Sequence, residues 1–320
     1  MRHSIASLAV VIPVFNEAAA LPDLFEALEG LKRKIDPCGL HVYFVDDHSE
    51  DGSPHLLREA CERFDWFSFL RLSRRLGSHA AVIAGLAQCE EDCAAFIAAD
   101  LQDPPDLLPR MMDLRREGHD VVWAVWNTAD RSRVEDAASR LFHFLMQRIS
   151  ESGQFPYRAS FALLSRRAYC NMVRSCGQRP SLLVEIPRLG YDVAAVAFDK
   201  PQRRKGRSKW TLSRKFLAFM DALVASSYLP IRAMSYLGTV ISLVGFLYAI
   251  VLVMLRLLNL LAVEGWTSLM VLVLVLGGLQ MLMLGILGEY LWRSAENTGN
   301  RALYLIEDQA GLREQQEETK

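Results

Sequence analysis

Asp100, Gln102 and Asp103 stand directly behind the apolar run Ala95–Ala99, and Pro104-Pro105 closes the stretch. Two carboxylates and an amide at the carboxyl end of a strand suit Mg²⁺ or Mn²⁺ held against a diphosphate. The plainer alternative is a helix cap by Asp103 with Asp100 in a turn. A second acidic group, Asp46-Asp47, follows Val42–Val45, with Ser49, Asp51 and Ser53 behind it. Its acceptors suit a base or ribose. The same residues also suit an Asx-type turn and a helix capped by Ser53. A third group, Pro13-Val14-Phe15-Asn16-Glu17, follows Leu8–Ile12. Pro13 ends the strand ladder, and Glu17 either accepts from a base or ribose or is simply solvated. Gly77, within Arg74–His79, lets the backbone approach a ligand closely or makes an ordinary strand-to-helix turn. His48 reads as incidental. Arg203, Gly206, Ser208, Lys209 and Trp210 form a basic stretch in front of a long apolar region. Its cations suit phosphate and its Trp a membrane interface. Attraction to anionic lipid, ~1 kcal/mol per charge, is the simpler reading.

The elements that must position these groups alternate. Apolar runs at 8–14, 42–45, 67–72, 95–99 and 121–125 read as strands, and the stretches from 19, 53, 80 and 106 as helices. That order predicts a mostly parallel α/β sheet covered by helices, with ligands beyond the strands' carboxyl ends. A further helix is expected over 134–149, and strands over 161–164 and 193–198. Residues 201–208 read as a mobile loop, 209–230 as an amphipathic helix lying on a membrane surface, and the tail after Asp308 as frayed.

Met234–Leu255 and Gly265–Gly288 carry no charged residue. Each is long enough for a hydrocarbon core of ~30 Å at ~1.5 Å per residue. The short link between them predicts a hairpin with both ends on one side. Gly277, Gly278, Gly285 and Gly288 read as close-packing positions, and Gln280 as an interhelical hydrogen-bonding group. Basic residues at 203–215, Arg232, Arg293 and Arg301 flank the hairpin on the side of the other domain. The positive-inside rule then places that domain in the cytoplasm. The expected organisation is 1–208 catalytic, 209–230 interfacial, 231–293 membrane hairpin (helices about 234–256 and 265–289) and 294–320 cytoplasmic tail. With 36 Lys+Arg against 37 Asp+Glu, the chain is near neutral, which argues against a nucleic-acid binder. Six scattered Cys complete no zinc pattern and read as structural thiols in a reducing compartment. The early apolar run is too short for a signal peptide.

Taken in order, VVIPVFNE (10–17), VDDHSEDGS (45–53), LSRRLGSHAAVIAGL (72–86), AADLQDPP (98–105), RRKGRSKW (203–210) and LGILGEYLWR (284–293) resemble the polyprenyl-phosphate branch of glycosyltransferase family 2. The resemblance spans essentially the whole chain. It implies a glycosyltransferase-A domain in a multi-pass protein of the bacterial inner membrane. It also implies inverting transfer of a sugar from a nucleoside diphosphate, UDP in preference to GDP, to polyprenyl (undecaprenyl) phosphate with Mg²⁺ or Mn²⁺. The roles it implies are nucleotide binding by Pro13, Phe15, Glu17, Asp46, Asp47, Ser49 and Gly77, and metal binding by Asp100, Gln102 and Asp103. Asp100, Arg203 and Lys209 would be catalytic, and Arg203, Gly206, Ser208, Lys209 and Trp210 would hold phosphate or lipid. A homo-oligomer stays open. Three departures from the family's pattern stand out, at four positions. Ala98 stands where an Asp is usual, Ser160 and Ala162 where Asp and Arg are usual, and Trp126 where Arg often ends a strand. All three lie on the sugar-diphosphate side. They predict an unusual donor or, alternatively, an impaired relative that binds nucleotide or lipid; a different lipid acceptor is a further alternative.

Overall fold

The computed structural model describes residues 4–127, 159–177, 180–199, 229–258, 265–298 and 302–312. The chain divides into two compact units, Met1–Lys215 with Arg301–Lys320, and Phe216–Asn300.

In the first unit the elements are β1 (Ser7–Val14), α1 (Leu21–Ile35), β2 (Gly39–Asp46), α2 (Ser53–Arg63), β3 (Phe67–Leu72), α3 (Ser78–Leu86) and β4 (Cys93–Phe96). A single 3₁₀ turn, Pro105–Leu107, leads into α4 (Leu108–Arg116), followed by β5 (Val121–Trp126), β6 (Ala159–Ser165), α5 (Arg166–Ser175), α6 (Leu182–Arg188) and β7 (Val193–Phe198). The second unit contributes α7 (Leu229–Leu257) and α8 (Trp266–Thr298), after which the chain returns to the first unit as β8 (Ile306–Ala310).

Among the described residues the strands form one sheet in the order β7-β5-β6-β4-β1-β2-β3-β8. β3, β2, β1 and β4 run parallel, as do β5 and β7. β6 lies antiparallel between β4 and β5, and β8 antiparallel on the β3 edge. The α/β class therefore stands, but the sheet is mixed. α5 and α6 fall where no helix was expected, and two further elements differ from the sequence expectation. β4 stops at Phe96, three residues short, so the Asp100 stretch is loop. Residues 306–310, which reach into the tail expected to fray after Asp308, are an edge strand. Their alternation of half-buried and exposed positions fits an edge, but the charged residues mask it in sequence.

β1 is buried on both faces, as a central parallel strand must be, and its apolar run follows from that. Pro13 sits within it, still in register with Val45 of β2. Pairing with β4 ends at Val11↔Phe96, so the missing N–H of Pro13 costs no rung on that side. Pro13 thus ends the ladder toward β4 only. In α1 the buried residues Leu21, Leu24, Leu28, Leu31 and Ile35 repeat at helical spacing, and Lys32, Arg33 and Lys34 complement its carboxyl end. Phe25, Phe44 and Phe67 meet at ring separations of 5.0 to 5.7 Å above β2 and β3.

α3 is apolar all round and buried from Ala80 to Leu86. It lies so close to β1 and β2 that a Cβ on Gly85 would stand 2.4 Å from Val11 Cγ1 and 2.9 Å from Val45 Cγ2. Gly85→Ala is expected to destabilise by about 1–3 kcal/mol through overpacking. Gly30→Ala in α1, where a Cβ meets nothing within 4 Å, is expected to stabilise by about 0.5–1 kcal/mol. Denaturation midpoints of the two variants should move in opposite directions, and a shared sign would refute the packing argument.

In the second unit α7 and α8 touch where Gly238 faces Met283, at 3.6 Å from the position of a Cβ. Among the described residues, a Cβ added at Gly277, Gly278, Gly285 or Gly288, the glycines expected to pack closely, would meet nothing within 4 Å, and Gln280 is exposed. Glycine spacing alone does not say which helix face meets the partner. Counted over the described residues, no helix is long and apolar enough to cross a membrane. The helices themselves run 29 and 33 residues and include positions outside that set.

Candidate active site

The parallel strands place three loops at one edge of the sheet: 15–20 after β1, 47–52 after β2 and 73–77 after β3. The loop after β4, 97–104, runs to the same edge. The aligned register Val14↔Asp46↔Arg71 brings the first three to a common level.

Polar side chains stitch these loops together. Ser49 Oγ accepts the Asn16 N–H at 2.9 Å, and Asn16 Oδ1 accepts the Glu50 N–H at 2.9 Å. Ser53 Oγ accepts the Glu17 N–H at 3.1 Å, and Asp51 accepts from Ala18 at 3.1 Å and Ser53 at 3.0 Å. Ser53 is therefore the first helical residue of α2, bonded across to the β1 loop, and not its cap. Asp46 accepts the Ser49 N–H through both oxygens, at 3.1 and 3.3 Å. Asp47 accepts the Leu76 N–H at 2.6 Å and the Gly77 N–H at 2.8 Å, latching the β3 loop. Gly77 has φ +94°, a conformation that favours glycine, and the space where a Cβ would stand is open.

Burial pushes both Asp46 and Asp47 above the usual carboxylate range. The Ser49 hydroxyl and N–H with Arg71 at Asp46, and the Leu76 and Gly77 amides at Asp47, pull back only part of that. Asp46, Asp47 and Ser49 are 0%, 3% and 2% exposed. These three predicted nucleotide ligands lie behind the loop surface and shape it, which is the turn-forming alternative made concrete. Phe15 and Glu17 are half-buried at the front of the β1 loop. The Arg75 guanidinium lies 3.8 Å over the Phe15 ring, joining the first and third loops by a cation–π contact.

In the fourth loop, Asp100 Oδ1 accepts the Gln102 N–H at 3.1 Å, so Asp100 does sit in an Asx-type turn. It is half-buried. Asp103 is buried and does not cap the following helix. Its Oδ2 accepts the Ala98 N–H at 3.0 Å, folding the loop back on itself, and its Oδ1 accepts from the Ser160 hydroxyl. Ser160, at the position of a usual Asp, thus holds Asp103 without adding a second carboxylate beside it. Ser160→Ala is expected to destabilise by about 1 kcal/mol or more through loss of this donor, read as a lower thermal midpoint. An unchanged midpoint would show that Asp103 does not need the hydroxyl.

Among the described residues no three His, Cys, Asp or Glu side chains converge as a metal cage. Asp100 is half-buried where Asp103 is buried. A donor set of one carboxylate fits a hard cation whose remaining ligands are diphosphate oxygens and water.

Positive φ values among described non-glycine residues occur at Asn16 (53°), His48 (61°) and Leu101 (59°). All three lie in these loops, where backbone strain gathers at functional sites. By contrast, a concavity of about 530 Å³, lined by Lys34, Asp36, Cys38, Met112, Asp113 and Arg116 among others, opens at the amino ends of the strands. Sheet geometry favours the carboxyl end as the site.

Arg203, Gly206, Ser208, Lys209 and Trp210, and the helices expected over 134–149 and 209–230, lie outside the described residues. Trp126 ends β5 half-buried, and Ala162 is fully buried in β6. Sequence reasoning passed over two polar residues. His79 Nδ1 accepts the Leu182 N–H at 3.4 Å, joining α3 to the start of α6. Arg71 reaches Ser49 and Asp46. A lone cation inside the apolar strand FSFLRL was the available signal for Arg71.

The pattern of glycosyl transferase family 2 matches residues 9–171. An undecaprenyl-phosphate 4-deoxy-4-formamido-L-arabinose transferase of Pseudomonas syringae pv. syringae is 32% identical over 95% of this chain and 91% of its own length. An uncharacterized glycosyltransferase of Synechocystis sp. is also 32% identical, over 95% of this chain and 96% of its own. Among solved structures, glucosyl-3-phosphoglycerate synthase from Mycobacterium tuberculosis, crystallised with Mn²⁺, UDP and glucosyl-3-phosphoglycerate, shares the fold. Its TM-score is 0.50 at 18% identity, over 69% of this chain and 78% of that one. The sheet, the stitched loops at its carboxyl edge and these relatives lead to one conclusion: the chain is a glycosyltransferase belonging to glycosyl transferase family 2, on its polyprenyl-phosphate branch.

Proposed function

We propose that this protein transfers a sugar from a nucleoside diphosphate sugar, UDP-linked in preference to GDP-linked, to undecaprenyl phosphate at the cytoplasmic face of a bacterial inner membrane. The observation that carries the reading is the alignment to the Pseudomonas undecaprenyl-phosphate transferase over 95% of the chain, which runs through both long helices. The nucleotide rests on the front of the β1 and β3 loops, at Pro13, Phe15, Glu17 and Gly77. Asp46, Asp47 and Ser49 hold those loops from behind. Asp100, with Gln102 beside it, would hold Mg²⁺ or Mn²⁺, whose charge offsets that of the diphosphate.

The chemistry needs little else. The second ionisation of an acceptor phosphate falls near a pKa of ~6, so its oxygen is already a nucleophile near neutral pH. That oxygen forms a bond to the anomeric carbon as the bond to the diphosphate breaks, with inversion, and the nucleoside diphosphate leaves. No carboxylate base is required, which agrees with Ser160 at a position where the family often carries Asp. Positioning and charge stabilisation supply the rate. Arg203 and Lys209, with Gly206, Ser208 and Trp210, are assigned to the phosphate of donor or lipid.

α7 and α8 form the membrane hairpin of this reading. At about 1.5 Å per residue each exceeds a ~30 Å hydrocarbon core. Tyr236, Phe246, Leu247 and Met254 on α7 and Leu269, Val275, Met281 and Leu291 on α8 are more than half exposed, as lipid contact would have them. The chain enters and leaves the hairpin from the same unit, which agrees with an even number of crossings.

The test is transfer of label from a panel of UDP- and GDP-sugars to undecaprenyl phosphate in membranes, with and without Mn²⁺. UDP-4-deoxy-4-formamido-L-arabinose is the first donor to try. A metal-dependent, chloroform-soluble product is expected. Nucleotide binding with no product from any donor would overturn the proposal.

A further inference from the structure

We propose that Glu307, on the strand that follows the two long helices, is a positioning residue for the nucleotide loops, acting through Arg71 on the Asp46–Ser49 turn. The proposal rests on the nucleotide site of the functional reading.

The register of β8 against β3 is broken at one place. Arg71 pairs with Asp308 and Leu72 with Ile306, so Glu307 is the extra residue of a β-bulge. Bulges re-aim side chains and recur beside active sites. Here the Glu307 carboxylate is 3.2 Å from Arg71 Nε and 3.6 Å from His48 Nδ1. Arg71 stands between two acids. Its Nε is also 3.7 Å from Asp46 Oδ2, and its Nη2 donates to the Ser49 carbonyl at 3.3 Å. Buried Arg71 Nε makes no well-angled hydrogen bond to either acid, so the pairing is one of charge. Asp46 and Ser49 are buried, and Ser49 Oγ holds the Asn16 amide. A polar relay therefore runs from β8 through Arg71 to the β2 loop and on to the β1 loop. His48, with its positive φ, sits on the same turn and lies 3.2 Å from the Leu72 carbonyl.

The strand is held in place without Glu307. Asp308 pairs with Arg58, Ser68 Oγ donates to the Gly311 carbonyl at 2.7 Å, and the Ser73 N–H donates to Leu305 at 2.9 Å. Gly311, at φ +67°, passes so near Phe67 that a Cβ would stand 2.4 Å from its carbonyl oxygen. Glu307 is half exposed and adds little to this anchoring. Its side chain does have a task in orienting Arg71, whose guanidinium would otherwise be drawn to Asp46 alone.

The experiment uses the full chain in detergent or nanodiscs and reads UDP and GDP binding, donor KM and kcat, and the thermal midpoint. Glu307→Gln is expected to weaken nucleotide binding and raise donor KM about threefold to fivefold, with kcat and midpoint close to wild type. Arg71→Met is expected to lose about tenfold, and Arg71→Lys to recover part of that. The double variant R71M/E307Q should be no worse than R71M, because the two act in series. Glu307→Gln with wild-type affinity and KM, or losses that add in the double variant, would overturn the relay while leaving the functional reading intact. A wild-type chain that binds neither nucleotide would overturn both.

Discussion

Asp100→Ala is expected to reduce sugar transfer by about 10²- to 10³-fold, the scale of removing one preorganised charge-stabilising group from an active site. The three neighbouring positions explain why one residue should matter so much. Ala98 offers no side-chain oxygen, and each Asp103 oxygen already accepts a hydrogen bond, from the Ala98 amide and the Ser160 hydroxyl. The functional reading therefore assigns the cation on the diphosphate to Asp100. The turn bond it makes to Gln102 complicates the alanine variant, since its loss costs about 1 kcal/mol. Asp100→Asn separates the two effects by keeping an oxygen for the turn and removing the charge. Both variants should lose turnover and Mn²⁺ stimulation, with the thermal midpoint near normal in Asp100→Asn and lowered in Asp100→Ala only by the lost turn bond. Full turnover in either one would end the assignment of Asp100 to the metal.

Asp47→Ala should act differently, on the fold of the site first. Two backbone amides converge on this carboxylate at 2.6 and 2.8 Å, and it is 3% exposed. Hydrogen bonds to a charged group contribute about 1.5–3 kcal/mol each. Relief of the desolvation that raises its pKa offsets part of the loss. A net destabilisation of about 2–4 kcal/mol is expected, with donor KM raised at least tenfold as the Leu76–Gly77 segment comes loose. Denaturant titration and UDP binding check the two parts separately. A destabilised variant with intact UDP affinity would show that the β3 loop does not carry the nucleotide.

Much of this architecture was legible in sequence because parallel strands buried on both faces are continuous apolar runs. β1, β2 and β3 stand out for that reason, and the acidic residues behind them mark the carboxyl ends. The division of labour among those acids was not legible. Asp46, Asp47 and Asp100 all follow strands, and only geometry shows that the first two face inward while Asp100 remains at the loop. The antiparallel insertion of β6 could not be read from the short apolar run 161–164, since direction is set by pairing. β8 was hidden because a bulged, charged edge strand has the composition of a tail. The contact of the two long helices at Gly238, seen among the described residues, depended on which helix faces meet.

The position of β8 in the chain has a consequence for biogenesis. The ribosome delivers β1 to β7 first, then both long helices, and only then the residues that cover β3. Until that moment the β3 edge is open, with its amides and carbonyls available to any extended chain. Synthesis is vectorial, so the early sheet waits as an unfinished intermediate while the two long helices are made. A nascent chain that stalls or is cleaved within the two helices never receives β8. Closure of the β3 edge thus reports that synthesis has passed both helices, and copies that lack β8 present a sticky edge to proteases and chaperones.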